Sequence, residues 1–261
     1  DSDGQNSQVV VRSTGMIYSP TWSPDGSRLA YGTRTASGRV ELVERDLASG
    51  RVRVISSRPV FSFAPAYSPD GKKLAITLTV GSIAQEIDEY DLQNSCCLRR
   101  LTHGPRDDLN PTYSPDGSRI AFNSSRLGQL HVYVMPAAGG QATLLTPYGV
   151  GESAHFAAPD WSPTSDEIAF TGQSRGGFQI MIANAGRPGV ARQITSSGDN
   201  QDPSWAADGR HIVYTGVGRD GSGLYVIDTQ TGTIRKLISG SRLQMADWSP
   251  VLQRIGPAAG R

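Results

Sequence analysis

One five-residue pattern returns six times along the chain and fixes most of what the chain can fold into. It reads proline, any residue, Trp or Tyr, serine, proline, and first appears as Pro20-Thr21-Trp22-Ser23-Pro24. It recurs around Tyr67, Tyr113 and Trp161, and in looser form around Trp205 and Trp248. The aromatic positions lie 45, 46, 48, 44 and 43 residues apart. Self-similarity at such a pitch marks a repeat architecture, in which each unit must bury its apolar face against its neighbours.

Each unit has the same internal order. Ser-Pro-Asp-Gly follows the aromatic residue at 23–26, 68–71 and 114–117. Proline sets φ for a turn, and Asp-Gly supplies a side-chain acceptor and a left-handed position. A short apolar run comes next, as in Leu29-Ala30-Tyr31, Leu74-Ala75-Ile76 and Ile120-Ala121-Phe122. A Gly-bearing hairpin then leads to an alternating strand such as Val132–Met135 or Leu224–Ile227. A second turn leads to a fourth strand, expected at 52–55, 98–101, 142–145, 192–194 and 234–238. No segment keeps a helical period. Four strands per 43–48 residues is the size of a propeller blade. The rival, an array of β-sandwiches, leaves each unit as half a domain, whereas a closed ring of units removes most exposed edges. The expected fold is therefore all-β: a six-bladed β-propeller over 1–261, as one domain. Its closing blade is built from both termini, with 8–12 as outermost strand and 244–248 as innermost strand. The two middle strands of that blade are not evident, so it reads as incomplete and as the blade least protected from exchange.

The six repeats resemble the propeller of the TolB family, proteins of the periplasmic Tol–Pal envelope system. Two further stretches carry the resemblance: Asp1-Ser2-Asp3-Gly4-Gln5-Asn6, followed by a Val-rich strand and Arg12-Ser13, and the closing Ala246-Asp247-Trp248-Ser249-Pro250. The chain departs from the pattern at Ala206-Ala207-Asp208-Gly209 and Ser162-Pro163-Thr164-Ser165, and the α/β domain of the family is not in this sequence. The resemblance implies a non-enzymatic, protein-binding scaffold in the periplasm after removal of a signal peptide. Its partners would be a Pal-like peptidoglycan-associated lipoprotein and other Tol proteins, and its work outer-membrane integrity and cell division. The repeat also occurs in tricorn-like and prolyl-oligopeptidase-like proteins. The alternative is thus the gating propeller of a serine peptidase whose catalytic domain lies on other chain.

Composition narrows the chemistry. Twenty-five basic residues against 24 acidic ones leave a net charge of +1, without the basic footprint of a nucleic-acid binder. No apolar run reaches the ~20 residues of a membrane-spanning helix. The four histidines fall in different units, and the chain has only two cysteines, so neither a metal site nor a cofactor is expected. Gly172-Gln173-Ser174-Arg175-Gly176 matches the string of a nucleophile elbow, but such an elbow joins a strand to a helix. Here it falls between two strands, and no catalytic residue is expected. Asp25, Asp70, Asp116 and Asp208 recur with the repeat and read as turn residues. Cys96 and Cys97 are adjacent on a strand, where neighbouring side chains face opposite ways. The expected arrangement is one buried and one exposed thiol; the alternative is a vicinal redox pair.

Function is expected where the units differ. The segments leading into each innermost strand are 13–19, 57–63, 103–110, 147–158, 196–202 and 239–245. In a propeller they share one rim around the central channel, and loops on a rigid scaffold commonly carry binding residues. They mix aromatic, apolar and charged side chains, as protein recognition surfaces do. The residues expected to meet a partner are Phe61, Arg106, Asp108, His155, Asp199 and Gln244, with Phe61 as apolar anchor.

Overall fold

The computed structural model describes residues 9–11, 16–58, 64–80, 84–147, 155–175, 177–218, 221–241, 243 and 245–250. They form five antiparallel four-stranded sheets, each wound from its innermost to its outermost strand in chain order. Blade 1 holds β1 (Ile17–Trp22), β2 (Arg28–Arg34), β3 (Val40–Asp46) and β4 (Val52–Arg58). Blade 2 holds β5 (Ala66–Tyr67), β6 (Lys73–Val80), β7 (Ala84–Asp91) and β8 (Cys96–Arg100). In blade 3 the order is β9 (Asp108–Tyr113), β10 (Arg119–Ser124), β11 (His131–Pro136) and β12 (Thr143–Leu144). Blade 4 runs β13 (Phe156–Trp161), β14 (Glu167–Ser174), β15 (Gly177–Asn184) and β16 (Ala191–Gln193). Blade 5 runs β17 (Asp199–Trp205), β18 (His211–Gly218), β19 (Gly221–Asp228) and β20 (Ile234–Ser239).

The alternation within each second strand explains how the blades stack. Ile120 and Phe122 pack on blade 2, while Ala121 between them faces blade 4. Ile168 and Phe170 pack on blade 3, and Ala169 faces blade 5. The large residues of each strand meet the preceding blade beside their own aromatic, Tyr113 or Trp161, and the small residue leaves room for the next aromatic. The period-2 alternation of a strand thus becomes an interlocking pack between neighbouring sheets.

The Ser-Pro-Asp-Gly turns fold as their chemistry requires. Ser23 Oγ donates to Asp25 Oδ1 at 2.6 Å, Ser27 N donates to the same oxygen, and Gly26 N reaches Ser23 O at 2.8 Å. Gly26 sits at φ +68°, a region that costs a side chain but not glycine. Blades 2 and 3 repeat these bonds with Ser68–Asp70 and Ser114–Asp116. These bonds hold Asp25 and Asp116 down at a pKa of about 2.

The count of six blades is corrected to five among the described residues. The six motifs count innermost segments, not complete sheets. The sixth motif, 246–250, forms no strand, but it is docked in the sixth inner position between blades 5 and 1. Asp247 Oδ2 accepts Trp22 N from blade 1 at 2.8 Å, and Asp247 Oδ1 accepts Ser204 Oγ from blade 5 at 3.2 Å. Trp248 N donates to Ser204 Oγ at 3.1 Å. Val9–Val11 are likewise outside any strand. Val11 packs on Leu29, Tyr31 and Val43, the face of blade 1 turned away from blade 2. Gln8, Arg12 and Gln244, which the expected pairing also needs, lie outside the described residues.

A candidate binding face around the central channel

All six inner positions converge on one cavity of about 460 Å³. Two residues per repeat shape it. The residue before the motif's proline takes a left-handed backbone without being glycine: Ser19, Asn110, Ala158, Asp202 and Met245 have φ between +42° and +54°. The innermost strands pair irregularly there, with register shifts beside Asn110, Ala158 and Asp202. Such bulges re-aim a strand. The freed backbone amides bond to the preceding blade: Asn110 N to Thr77 Oγ1, Ala158 N to Asn123 Oδ1, and Asp202 N to Thr171 Oγ1.

The residue after the proline builds a belt around the cavity wall. In order it is Thr21, Ala66, Thr112, Asp160, Ser204 and Asp247, all lining the cavity. In several places this side chain accepts the backbone N–H of the next unit's aromatic. Thr112 Oγ1 takes Trp161 N at 3.3 Å, Asp160 Oδ2 takes Trp205 N at 2.7 Å, Ser204 Oγ takes Trp248 N and Asp247 Oδ2 takes Trp22 N. Burial pushes Asp160 up to about 7, with the nearby Asp247 carboxylate adding to it, and burial pushes Asp247 up to about 6. Asp202 is raised by burial as well. This belt was not recognised in the sequence. Its available signal was the variable, mostly polar residue set inside an otherwise fixed motif. Among the described residues, no group of three or more His, Cys, Asp or Glu side chains is placed to hold a metal ion.

The loops that lead into the inner strands meet the hairpins between second and third strands on the same rim. Ser125 N, in the β10–β11 hairpin, donates to Asp107 O, and Gln173 N at the end of β14 donates to His155 O. Three loops carry equivalent residues six positions before their aromatic: Asp107, His155 and Asp199. Asp107 Oδ1 accepts Gln85 N at 3.0 Å and Asp199 Oδ1 accepts Phe178 N at 3.0 Å, each fastening its loop to the previous blade. The His155 ring packs edge-on against Phe178, 5.6 Å between centroids. Phe178 thus touches both loops, with its ring on His155 and its backbone N–H on Asp199.

Arg106 is exposed beside this rim, at the start of blade 3. Asp108 is turned inward instead: it is 3% exposed, and Arg126 Nη2 donates to its carboxylate at 3.1 Å. Arg126 also lies over the Tyr133 ring at 4.5 Å. Asp108 therefore holds Arg126, a hairpin residue that nothing in the sequence singled out. Phe61 and Gln244 lie outside the described residues. Ser174 ends β14 opposite Gly177, in a tight hairpin between two strands, so its Gly-x-Ser-x-Gly string lacks the strand-to-helix setting of a nucleophile elbow. His131 is buried, with its Nδ1 on Thr146 Oγ1 at 3.0 Å and its ring packed against Phe156, so it takes part in the packing of blade 3 on blade 4.

The cysteine expectation is corrected. Cys96 and Cys97 are joined in a vicinal disulfide. Strand alternation does not apply at this pair, because Cys97 has φ +65° and the β7–β8 register shifts between Glu89 and Asp91.

Comparisons with known proteins agree with this architecture. The profile of the TolB beta propeller domain matches residues 1–252. The Tol-Pal system protein TolB of Bordetella pertussis is 33% identical over 252 residues, 96% of this chain and 56% of that protein. The chain thus spans little more than half the length of this curated relative. The crystal structure of TolB from Acinetobacter baumannii superposes with a TM-score of 0.79 at 26% identity, covering 90% of this chain and 57% of that one. A puromycin hydrolase shares the fold alone, at a TM-score of 0.64 and 19% identity, over 91% of this chain and 40% of its own. With a match along nearly its whole length and the same propeller geometry, this chain belongs to the TolB beta propeller domain family.

Proposed function

We propose that this chain is a non-enzymatic docking scaffold of the Tol–Pal system that works in the periplasm. In this reading it binds a Pal-like lipoprotein over the mouth of its channel and supports outer-membrane integrity and cell division. The observation that carries the reading is convergence: the six inner positions meet around one cavity, and the loops that lead into them, two of them fastened to the previous blade through Asp107 and Asp199, stand together at one end of those strands. A folded partner inserting apolar side chains there loses little entropy in ordering the receptor. Exposed Arg106, His155, Asp199 and the loop residues Phe61 and Gln244 are the proposed contacts. Asp108 contributes by keeping Arg126 in place.

The match to proteins named for the Tol–Pal system supports the partner class. Titration calorimetry against the soluble domain of the Pal-like lipoprotein from the same organism tests the reading. Truncating an interface anchor typically costs about 2 kcal/mol or more, so Phe61→Ala should weaken binding at least ~30-fold. Asp70→Ala, in a turn at the opposite end of blade 2's innermost strand, should leave affinity unchanged. Equal affinities for Phe61→Ala and the parent, or a larger loss for Asp70→Ala, would place the site elsewhere.

A further inference from the structure

The turn between β7 and β8 is unlike its counterparts. In the other blades the corresponding turn puts glycine in the left-handed region: Gly50, Gly139, Gly189 and Gly232, with φ between +70° and +85°. Blade 2 puts Ser95 (+52°) and Cys97 (+65°) there instead. Both carry a Cβ, and neither is Asn or Asp, so this backbone is costly unless something holds it. The Cys96–Cys97 bond is the covalent constraint at that point. Cys97 is exposed and Cys96 half-buried, so the bond faces solvent from one side.

The same turn is tied to its neighbour by one side chain. Arg53 of β4 donates from Nη1 to Ser95 Oγ at 3.2 Å and to Leu92 O at 3.4 Å, while its Nη2 donates to Glu44 at 2.6 Å. Leu92 packs in the core between blades 1 and 2. The disulfide therefore sits where a change in backbone would be felt at a blade–blade contact.

We propose that Cys96–Cys97 is a reversible thiol–disulfide site, opened by a dithiol reductant, and that its reduction loosens the Arg53 tie between blades 1 and 2. A thiolate of the reductant attacks the Sγ of Cys97, the more exposed residue; the Sγ–Sγ bond breaks and Cys96 leaves as thiolate. The second thiol of the reductant then attacks its own sulfur in the mixed disulfide and releases Cys97. Two electrons pass from the dithiol, which ends as an internal disulfide, and its two protons end on Cys96 and Cys97 or on solvent. With the bond gone, Ser95 and Cys97 leave the left-handed region and the acceptors of Arg53 move with them.

The test uses the folded full chain, dithiothreitol as the dithiol, iodoacetamide and mass spectrometry, with hydrogen exchange alongside. Without reductant the native protein should take up no label. After dithiothreitol, without denaturant, it should take up two. Amides of 92–97 should then exchange at least ~10-fold faster, while those of β9 and β10 stay as they were. The variant carrying Cys96→Ser and Cys97→Ser should show the fast exchange from the start and no response to dithiothreitol. Label uptake before reduction, labelling that appears only in denaturant, or unchanged exchange after complete reduction would each overturn the proposal. The parent measurements decide it even if the double variant fails to fold.

Discussion

Asp247 joins the last described segment to the first blade, and its carboxylate is held in an unfavourable environment. Replacing it by Asn keeps the bond from Trp22 N on the amide oxygen and reverses the second: the amide N–H donates to Ser204 Oγ, whose hydroxyl can turn to Asp160. What the substitution removes is the ionisation. The folded pKa of about 6 lies above the ordinary 3.8, so the folded state holds the proton more tightly than the unfolded state does. Between those two values the unfolded chain ionises first, and the parent loses stability as pH rises; above about 6 the loss is complete and constant. A rise from 3.8 to about 6 corresponds to about 3 kcal/mol at most, and part of that is already lost at pH 4.5. Channel water screens some of the remainder. Asp247→Asn should therefore gain about 1–2 kcal/mol relative to the parent between pH 4.5 and pH 7.5. Asp25 and Asp116 titrate lower, at about 2, and stay ionised in the folded state across this window. Buried His131, whose pKa is lowered, contributes equally to both proteins and cancels. Asp160, pushed up to about 7 in part by the Asp247 charge, does not cancel: removing that charge eases its ionisation as pH rises and widens the gap in the same direction. Denaturant unfolding of both proteins at the two pH values measures the difference. A gap that stays constant, or narrows as pH rises, would refute the assignment of a raised carboxylate at the closure.

Arg126→Ala should destabilise the fold by about 2 kcal/mol or more, because it leaves the buried Asp108 carboxylate unpaired; adding Asp108→Asn should recover most of the loss in the same unfolding assay. Asp25→Ala should cost about 1 kcal/mol through its turn bonds and leave partner affinity alone. Ser174→Ala should leave any esterase or peptidase signal of the purified chain at its background level, and a clear loss of a measurable activity would revive the hydrolase reading.

The repeat made the blades legible because one motif performs one local task each time. The serine, proline, aspartate and glycine build the turn, and Ile-Ala-Phe-like triplets encode which sheet face meets which neighbour. The positions of the fourth strands followed from the same spacing. The cavity wall was not legible in that way. Thr112, Asp160, Ser204 and Asp247 read individually as filler between a proline and an aromatic residue. Their role emerges only when the ring brings each one to the amide of the next aromatic. Asp108 read as a presented charge because its partner, Arg126, is 18 residues away in a hairpin that the sequence places but does not orient. The cysteine pair was misread for a local reason: strand alternation does not hold at a residue with φ +65°.

Hydrogen exchange of the chain with and without the soluble domain of the Pal-like lipoprotein tests the docking face most directly. Complex formation should slow exchange in the loops 103–107 and 196–202 and around His155, which stand at the end of the innermost strands where the chain enters each blade. The turns 23–26, 68–71 and 114–117, at the other end of the innermost strands, should exchange as in the free chain. Protection confined to those turns or to the outer strands, or no protection at saturating partner, would contradict the account.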